Sequence, residues 1–344
     1  MQVGLVTGKH TLELRDMPRP TPAAGKAVVE IAYCGICGTD LHAYQSGEPY
    51  NPAICGHEWT GRVSAVGANV TTVREGDRVA IGAATACGAC ATCRRGDAAH
   101  CETAFAGMIG IGPLAAPHGG FASAIAIDAS RLYQVDAHID DIDAAILEPA
   151  TVAVHAVRRT GIRLGDSVVV LGAGPIGLLV LQAARAAGAG TVVLVEPQRG
   201  RRELGGTLGA DKLVDPSTSD VAESVNAHIG VQGADVVIEC AGIARTIEQA
   251  PSLVRRGGVV SLIGVPNRPS QIHAAEWLVK EVRVTTSLAY LHEEFAIAQG
   301  LVADGRIRCA PLHTSTVSLA ELDDAFARLS DAPAEVKVLV DPRI

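Results

Sequence analysis

The stretch DSVVVLGAGPIG, residues 166–177, predicts a buried strand that runs into a glycine turn. An alanine-rich stretch with helical periodicity follows, and a second apolar strand at 191–195 ends at Glu196. A strand, a G-x-G-x-x-G turn, a helix and an acid about 20 residues later form the signature of a dinucleotide-binding βαβ unit. An ordinary glycine turn in some other βαβ unit is the alternative.

This signature predicts which residues bind the cofactor. The glycines let the backbone approach a pyrophosphate at the positive end of the helix. The Glu196 carboxylate is expected to accept hydrogen bonds from ribose hydroxyls and to repel a 2′-phosphate, which favours NAD over NADP. Arg199, Arg201 and Arg202 argue the other way, unless they are only a solvated helix start. The predicted cofactor-binding residues are Gly172, Gly174, Pro175, Ile176, Gly177, Glu196, Arg201, Gly264 and Val265.

Two kinds of strand pattern divide the chain. In the second half, buried strands extend the βαβ unit into a doubly wound, parallel α/β sheet. These strands are expected at 212–214, 235–239, 259–263 and 282–286. In the first half, short strands separated by glycine and proline turns predict a barrel-like, β-rich domain. Its strands are expected at 2–6, 11–14, 26–33, 61–66 and 78–81.

Candidate metal ligands are concentrated in two stretches of the first half, CGICGTDLH at 34–42 and GHEWTG at 56–61. Cys37 offers a thiolate and His57 an imidazole, a mixture that suits Zn²⁺ better than Mg²⁺ or Ca²⁺. Asp40 and Glu58 are candidates for a third ligand or for acceptors that orient the ligands. A catalytic zinc has three protein ligands and one open position, so a further ligand is expected elsewhere in the chain.

A second cysteine cluster is the most specific metal motif in the chain. Its spacing, C-x2-C-x2-C-x7-C, lets four thiolates surround one tetrahedral Zn²⁺ and leaves no open position, which indicates a structural role. Buried cysteines without a metal and a four-cysteine iron–sulfur cluster are the alternatives. The remaining cysteines are expected to be ordinary thiols, although Cys34 competes with Cys37 for the first metal. The cluster consists of Cys87, Cys90, Cys93 and Cys101.

Composition restricts the classes of protein to which the chain can belong. Its 344 residues suffice for two hydrophobic cores, and 48% hydrophobic with 19% charged residues is typical of a globular α/β protein. The net charge of −8 argues against a nucleic-acid partner. The odd count of nine cysteines, with neither an apolar N-terminal signal nor a long apolar run, predicts a cytoplasmic protein without a membrane segment.

Taken together, these motifs resemble the zinc-dependent medium-chain dehydrogenases, the alcohol and polyol dehydrogenase superfamily. The resemblance covers nearly the whole chain and rests, in order, on CGICGTDLH, GHEWTGRVSAVG, the four-cysteine cluster, LEPATVAVHA and GAGPIG. It implies a discontinuous, β-rich, GroES-like catalytic domain at 1–154 and 290–344. It also implies a Rossmann NAD-binding domain at 155–289, in a homotetramer or homodimer.

The resemblance also implies which residues bind the catalytic zinc. Cys37 and His57 would be ligands, and Asp40 would orient His57 or the metal. Glu148, before a proline, is similar to the acid that sorbitol, threonine and butanediol dehydrogenases have in place of a cysteine. Glu148 would therefore be the third ligand, directly or through water, and Glu58 would be able to approach the metal. A plain helix-terminal acid is the alternative for Glu148.

Finally, the resemblance implies a reaction. Thr39 would take the proton of the substrate hydroxyl and His42 would pass it to solvent, unless His42 is only a surface residue. The protein would transfer hydride between a small-molecule secondary alcohol or polyol (a sugar alcohol, cyclitol or amino alcohol) and a nicotinamide cofactor, giving the ketone. A non-catalytic protein that binds NAD and zinc, and an NADPH-dependent reductase of the same superfamily, are the alternatives.

Overall fold

The computed structural model describes residues 1–266, 268–331 and 334–344. Within them, the chain divides into two compact units. The first unit comprises Met1–Glu148, Leu291–Gln299 and His313–Ile344, and the second comprises Pro149–Tyr290 and Gly300–Leu312. Unlike the expected layout, residues 300–312 therefore group with the second unit. One reason is that the backbone N–H and C=O of Arg308 both hydrogen-bond the side chain of Gln182.

The regular elements are numbered in chain order. The strands are β1 (Gln2–Gly8), β2 (Thr11–Asp16), β3 (Lys26–Gly35), β4 (Glu58–Val66), β5 (Arg78–Ile81), β6 (Ala124–Asp128), β7 (Leu132–Gln134), β8 (Ser167–Leu171), β9 (Thr191–Val195), β10 (Lys212–Val214), β11 (Ala234–Glu239), β12 (Val254–Leu262), β13 (Arg283–Thr286), β14 (His313–Val317) and β15 (Lys337–Val340). The helices are α1 (Gly38–Ser46), α2 (Ala91–Arg94), α3 (Glu102–Met108), α4 (Asp141–Ala145), α5 (Leu147–Thr160), α6 (Pro175–Ala186), α7 (Arg199–Thr207), α8 (Val221–Ile229), α9 (Ala244–Leu253), α10 (Ala274–Lys280), α11 (Glu294–Ala303) and α12 (Leu322–Asp331). In the part of the chain that the structure describes, none of these helices has the length and apolarity needed to cross a membrane.

The second unit contains a six-stranded parallel sheet in the order β10-β9-β8-β11-β12-β13. Numbered within this unit, that order is 3-2-1-4-5-6, the order of the Rossmann fold. The central strand β8 is a run of buried apolar residues because a parallel sheet is covered by helices on both faces. The predicted doubly wound α/β fold is confirmed.

The first unit contains a mostly antiparallel, seven-stranded sheet. Its main path is β14-β15-β3-β4-β5-β7, with β6 also paired to β3, and only β14 and β15 run parallel. The core beside this sheet includes the fully buried rings of Trp59, Phe121 and Phe326. The expected β-rich domain is confirmed, although α1 was not foreseen.

The pairing of β3 with β4 brings the two metal-binding motifs together. Gly35, the last residue of β3, lies opposite Glu58, the first residue of β4. The motif that contains Cys37 follows β3 directly, and His57 immediately precedes β4. A side chain at position 35 would meet the Glu58 carboxylate, so a larger residue at this crossing would displace that carboxylate. The sheet register therefore positions the site.

Candidate active site

Three potential metal ligands meet at the end of this strand pair. Ligand atoms of Cys37, His57 and Glu58 all lie within 4.8 Å of one another. Cys37 caps α1, since its Sγ accepts the N–H of Thr39 at 3.5 Å while the Asp40 carboxylate accepts the N–H of Cys37 at 3.0 Å. This reciprocal capping presents the sulfur at the positive end of the helix, where a thiolate is stabilised.

His57 is held in one orientation by the backbone. Its Nδ1 lies 2.9 Å from the carbonyl oxygen of Ile54 and 3.7 Å from Oδ1 of Asp40. A carbonyl only accepts, so Nδ1 carries a hydrogen, and Nε2 is the ring nitrogen that would bind a metal after losing its proton. Burial opposes a charge on this ring, but Cys37 and Asp40 outweigh it and raise the pKa of His57 well above its usual range.

Asp40 is a buried acceptor rather than a member of this ligand group. Its Oδ1 accepts hydrogen bonds from the Tyr50 hydroxyl at 2.6 Å and from the N–H of Gly56 at 3.3 Å. Burial raises the pKa of Asp40, although the charge of His57 and these hydrogen bonds act in the opposite direction. The carboxylate thus links α1 to the loop before β4.

The other predicted site residues lie around this cluster. Thr39 is exposed, with its Oγ1 3.6 Å from the Sγ of Cys37, and His42 is half-buried one turn further along α1. Glu148 is half-buried in the first turn of α5, and its charge acts on His57, but it is not in the three-residue ligand group. Cys34 is fully buried in β3 and is also outside the group, so the structure brings Cys37 and not Cys34 to His57.

One residue of the site was missed in the sequence. Lys337, in β15, is buried and lies with its Nζ 2.6 Å from Oε2 of Glu58 and 3.0 Å from the carbonyl oxygen of Ile36. It reaches the site because β15 pairs with the end of β3. A single lysine in the stretch VKVLV carries no sequence signal for this role, since its partner is 279 positions away.

The second cysteine cluster is assembled by the loop between β5 and β6. Hydrogen bonds from Thr103 and from the N–H groups of Ala89 and Cys90 lower the pKa of Cys87 to about 6. Burial and hydrogen bonds with the neighbouring thiols raise the pKa of Cys93 to about 12. The four sulfurs, within 4.8 Å of one another, belong to Cys87, Cys90, Cys93 and Cys101.

Both groups of residues fit zinc. In a tetrahedral site with Zn–S bonds of about 2.3 Å, sulfurs lie about 3.8 Å apart, so the four-cysteine group needs only a small contraction. Five backbone N–H groups point at these sulfurs, an arrangement that stabilises thiolates. The group of Cys37, His57 and Glu58 offers sulfur, nitrogen and oxygen, a donor set that zinc accepts.

The glycine turn after β8 has the geometry of a dinucleotide loop. Gly172 adopts a φ of +99°, which only glycine adopts without strain. Gly174 caps α6 and has open space where a side chain would be, so a ligand can approach its backbone closely. A side chain at Gly177 would overlap the carbonyl oxygen of Gly172, so this glycine permits close packing of helix and strand. Pro175 begins α6, followed by Ile176.

Glu196, directly after β9, lies beside the glycine turn. Its carboxylate accepts the N–H of Ala173 at 2.7 Å and the N–H of Gln198 at 2.8 Å. The charge of Glu196 also acts on Arg201, whose pKa is lowered by burial. The expectation of a fully solvated helix start is wrong for Arg202, because its guanidinium pairs with Asp215 at 3.0 Å and is mostly buried.

The predicted cofactor-binding residues Gly264 and Val265 follow β12 and lie beside the loop that follows β11. A side chain at Gly264 would overlap the backbone of Gly242, and Val265 is largely exposed. The loop that contains Gly242 in turn contacts Gly172 through Ala241. The structure therefore brings the predicted cofactor residues that follow β8, β9 and β12 to one edge of the sheet, with the loop after β11 between them.

Comparison with known proteins identifies the family. Residues 23–137 match the model of the alcohol dehydrogenase GroES-like domain, and residues 175–304 match that of the zinc-binding dehydrogenases. A 2-dehydro-3-deoxy-L-galactonate 5-dehydrogenase from Pseudoalteromonas atlantica is 33% identical over 93% of this chain and 92% of its own. The chain belongs to the zinc-dependent medium-chain dehydrogenase superfamily. A sorbitol dehydrogenase from Halalkalibacterium halodurans is 31% identical over 97% of both chains.

A solved structure has the same fold as this dehydrogenase along nearly the whole chain. A candidate zinc-binding dehydrogenase from Sinorhizobium meliloti, bound to NADP, superposes with a TM-score of 0.86 at 34% identity and 99% coverage of both chains. The predicted superfamily, its two-part fold and the class of reaction, oxidation of secondary alcohols with a nicotinamide cofactor, are confirmed. The non-catalytic alternative is not supported.

Proposed function

We propose that this dehydrogenase oxidises one secondary hydroxyl of a small polyhydroxylated molecule to the ketone and reduces NAD. The observation that carries the proposal is the cluster of Cys37, His57 and Glu58 at the crossing of β3 and β4. The names of the similar enzymes, which refer to sorbitol and to a deoxygalactonate, support a sugar alcohol or sugar acid rather than a simple alcohol.

We propose two zinc ions per chain. A catalytic zinc would be held by Cys37, Nε2 of His57 and Glu148, with Glu58 close to it. A structural zinc would be held by Cys87, Cys90, Cys93 and Cys101. The half-buried position of Glu148, whose charge acts on His57, supports its place as the third ligand.

When bound, the metal supplies a Lewis acid for the substrate oxygen and the nicotinamide accepts the hydride. Residues of the chain carry the proton of the substrate hydroxyl to solvent. The exposed Thr39 hydroxyl, beside the sulfur of Cys37, would accept the proton of the substrate hydroxyl while it gives up its own hydrogen toward His42. His42 follows three positions later on the same face of α1, and it releases the proton to solvent. Asp40 and Ile54 keep the His57 ring in place.

We propose NAD as the preferred cofactor. The Glu196 carboxylate is fixed at the end of β9 by two backbone N–H groups, where it would accept ribose hydroxyls and repel a 2′-phosphate. Against this stands the NADP bound by the similar Sinorhizobium meliloti protein. Of the nearby cations, Arg202 is engaged by Asp215, and Arg199 by Glu203. These pairs weaken the case for a phosphate site.

We further propose a cytoplasmic homo-oligomer, a tetramer or a dimer. The nine cysteines are all free thiols, as expected in a reducing compartment. Strand β13 is an open edge of the parallel sheet, and apolar side chains near it are exposed, which supports association through this edge. These side chains belong to Leu278, Val279, Val284 and Leu288. Light scattering coupled to gel filtration gives the mass of the assembly.

The decisive experiment combines metal content with turnover. Protein purified without added metal is analysed for zinc per chain, and the same sample is assayed for reduction of NAD and NADP over a panel of polyols, sugar acids and secondary alcohols. We expect two zinc ions per chain and reduction of NAD with part of the panel. A single zinc, retained when Cys37 is replaced, would contradict the catalytic assignment, and absence of turnover with two zincs would contradict the substrate class.

A further inference from the structure

The candidate metal site contains a buried ion pair that its ligand assignment does not explain. The side chains of Lys337 and Glu58 are each only 2% exposed, and the Nζ and Oε2 atoms lie 2.6 Å apart. Lysine is almost never fully buried unless it is paired, and removing a charge pair from water is costly. The buried pair therefore calls for an explanation, and its acidic partner, Glu58, is one of the three potential metal ligands.

The charges around the site show what the lysine balances. A divalent ion bound by the Cys37 thiolate and the Glu148 carboxylate would already be neutralised. The Glu58 carboxylate is then a surplus negative charge in a buried place, and it needs its own cation. The Nζ of Lys337 lies 2.6 Å from Oε2 of Glu58, the distance of a charge-assisted hydrogen bond, so the lysine supplies that cation.

The geometry around Glu58 also restricts where its carboxylate can point. Its Oε2 lies against Gly35, where no side chain could be accommodated, and points at the ammonium. The ammonium is itself anchored, because it also donates to the carbonyl oxygen of Ile36 at 3.0 Å. Lys337 is fixed by β15, which pairs with β3 at Gly35. The carboxylate is therefore drawn toward β15.

We propose that Lys337 is a positioning residue that holds Glu58 away from the catalytic metal and so keeps one coordination position open for the substrate oxygen. This inference rests on the proposed ligand assignment. Without the ammonium, Glu58 becomes the fourth protein ligand. A catalytic site then acquires the closed coordination of a structural one, which binds metal more tightly but turns over slowly.

The test compares three variants with the wild type. Lys337→Met removes the charge at similar length, Lys337→Arg keeps the charge, and the double variant Lys337→Met with Glu58→Gln removes both charges. For each protein we measure zinc per chain, the rate at which a chelator removes the exchangeable zinc, kcat, and the visible spectrum after cobalt exchange. Cys37→Ser, which lacks the exchangeable metal, identifies the relevant kinetic phase and spectral band.

For Lys337→Met we expect chelator-driven loss of zinc to slow by about tenfold or more, within the range by which neighbours of metal ligands alter affinity. We also expect kcat to fall at least about tenfold and the cobalt spectrum to change. Lys337→Arg should retain the wild-type spectrum. The double variant should lose zinc to the chelator faster than Lys337→Met alone, and its kcat should be higher. The reason is that it has no freed carboxylate at position 58 to occupy the open coordination position.

Two results would overturn the inference, and they differ in what else they affect. A wild type with only the four-cysteine zinc overturns both the ligand assignment and the role of Lys337. A wild type with two zincs, whose Lys337→Met variant loses metal faster or has an unchanged cobalt spectrum, overturns the role of Lys337 alone. Should Lys337→Met fail to fold, a double variant with a wild-type spectrum and chelation rate supports the inference, and one with a changed spectrum contradicts it.

Discussion

The Nδ1 atom of His57 donates its hydrogen to the carbonyl oxygen of Ile54 across 2.9 Å. This hydrogen bond determines which ring nitrogen can bind a metal, because it leaves Nε2 as the one that would do so after losing its proton. The partner is a backbone group just ahead of the ring, so the orientation does not depend on another side chain. It is a local property of the loop before β4.

Replacement of the sulfur ligand separates the two metal sites. We expect Cys37→Ser to lose one zinc per chain and to lower kcat/KM by at least about 100-fold, since a Lewis acid that stabilises developing charge is lost. Binding of NAD, measured by fluorescence, should persist. Cys34→Ser is the matched control, because Cys34 is buried outside the ligand group. Loss of the same zinc from Cys34→Ser would contradict the assignment.

Replacement in the four-cysteine cluster tests its structural role. We expect Cys90→Ala to lose the other zinc and to lower the melting temperature by about 5 °C or more, with kcat at 25 °C close to that of the wild type. Cys309→Ala, in a buried cysteine outside both clusters, should keep two zincs. A Cys90→Ala protein that melts normally but is inactive would argue for a catalytic role of this loop.

The glycine turn provides a pair of matched substitutions. A methyl group at Gly177 would overlap the carbonyl oxygen of Gly172, whereas one at Gly174 meets open space. We expect Gly177→Ala to lower stability by about 1–3 kcal/mol, measured by urea unfolding, because helix and strand must separate. Gly174→Ala should fold normally but bind NAD at least about tenfold more weakly, since the methyl occupies the place of the pyrophosphate. Equal stability of the two variants would contradict this difference in packing.

Glu196 tests the choice of cofactor. We expect Glu196→Gln to raise the ratio of kcat/KM for NADP to that for NAD by about tenfold or more, because a negative charge facing the 2′-phosphate is removed. The amide oxygen can still accept one of the two backbone hydrogen bonds from Ala173 and Gln198. Glu196→Ala removes both hydrogen bonds and should also weaken the binding of NAD. An unchanged ratio in both variants would mean that Glu196 does not face the ribose.

A buried acid in the second unit should produce a pH-dependent stability. Glu239 is fully buried, and its Oε1 accepts from Ala241, Gly242 and Thr246, whereas its Oε2 has no hydrogen-bond partner among the described residues. Burial raises the pKa of Glu239, although these hydrogen bonds lower it. An acid with a raised pKa favours folding below its unfolded pKa of about 4.3, and this contribution is lost as the pH rises toward the folded value.

We therefore expect Glu239→Gln to melt about 2–4 °C above the wild type at pH 8, and the difference to shrink as the pH falls to 5. Asp235→Asn is the control of opposite sign. Burial raises the pKa of Asp235, but hydrogen bonds from Ser167 and Arg255 outweigh it and lower the pKa, so its charge favours folding at pH 8. A Glu239→Gln variant that melts lower than the wild type at pH 8 would contradict the prediction.

The strands β8 and β9 were predictable because their signals are local, whereas β6, β7 and β14 were not predicted. The apolar runs of β8 and β9 and the glycine turn between β8 and α6 lie within residues 167–195, and the predicted bounds differ from the observed ones by a residue or two. Helix α1 was not predicted, because its nine residues have almost no amphipathic pattern and begin with glycine. The capping by Cys37 and Asp40 that starts it becomes visible only in the structure.

The ligand types were also predictable, but their supports were not. Short motifs whose residue types predict a metal site contain Cys37, His57 and Glu58. The carbonyl of Ile54 is a backbone group and leaves no trace in the residue type. Lys337 comes from the far end of the chain and reaches Glu58 only through the pairing of β15 with β3. Contacts that depend on sheet register between distant strands cannot be derived from one sequence.

The place of β15 in its sheet also affects how the protein is made. The strand lies between β14 and β3, so a sheet whose first strand ends at Gly35 is completed by a strand that begins at Lys337 and leaves the ribosome much later. The six parallel strands, in contrast, all lie within residues 167–286 and can pair while synthesis continues. Until β15 emerges, the end of β3 at Cys34 and Gly35 is paired on one side only, with β4, and its other side is a short exposed edge that a neighbouring chain can capture.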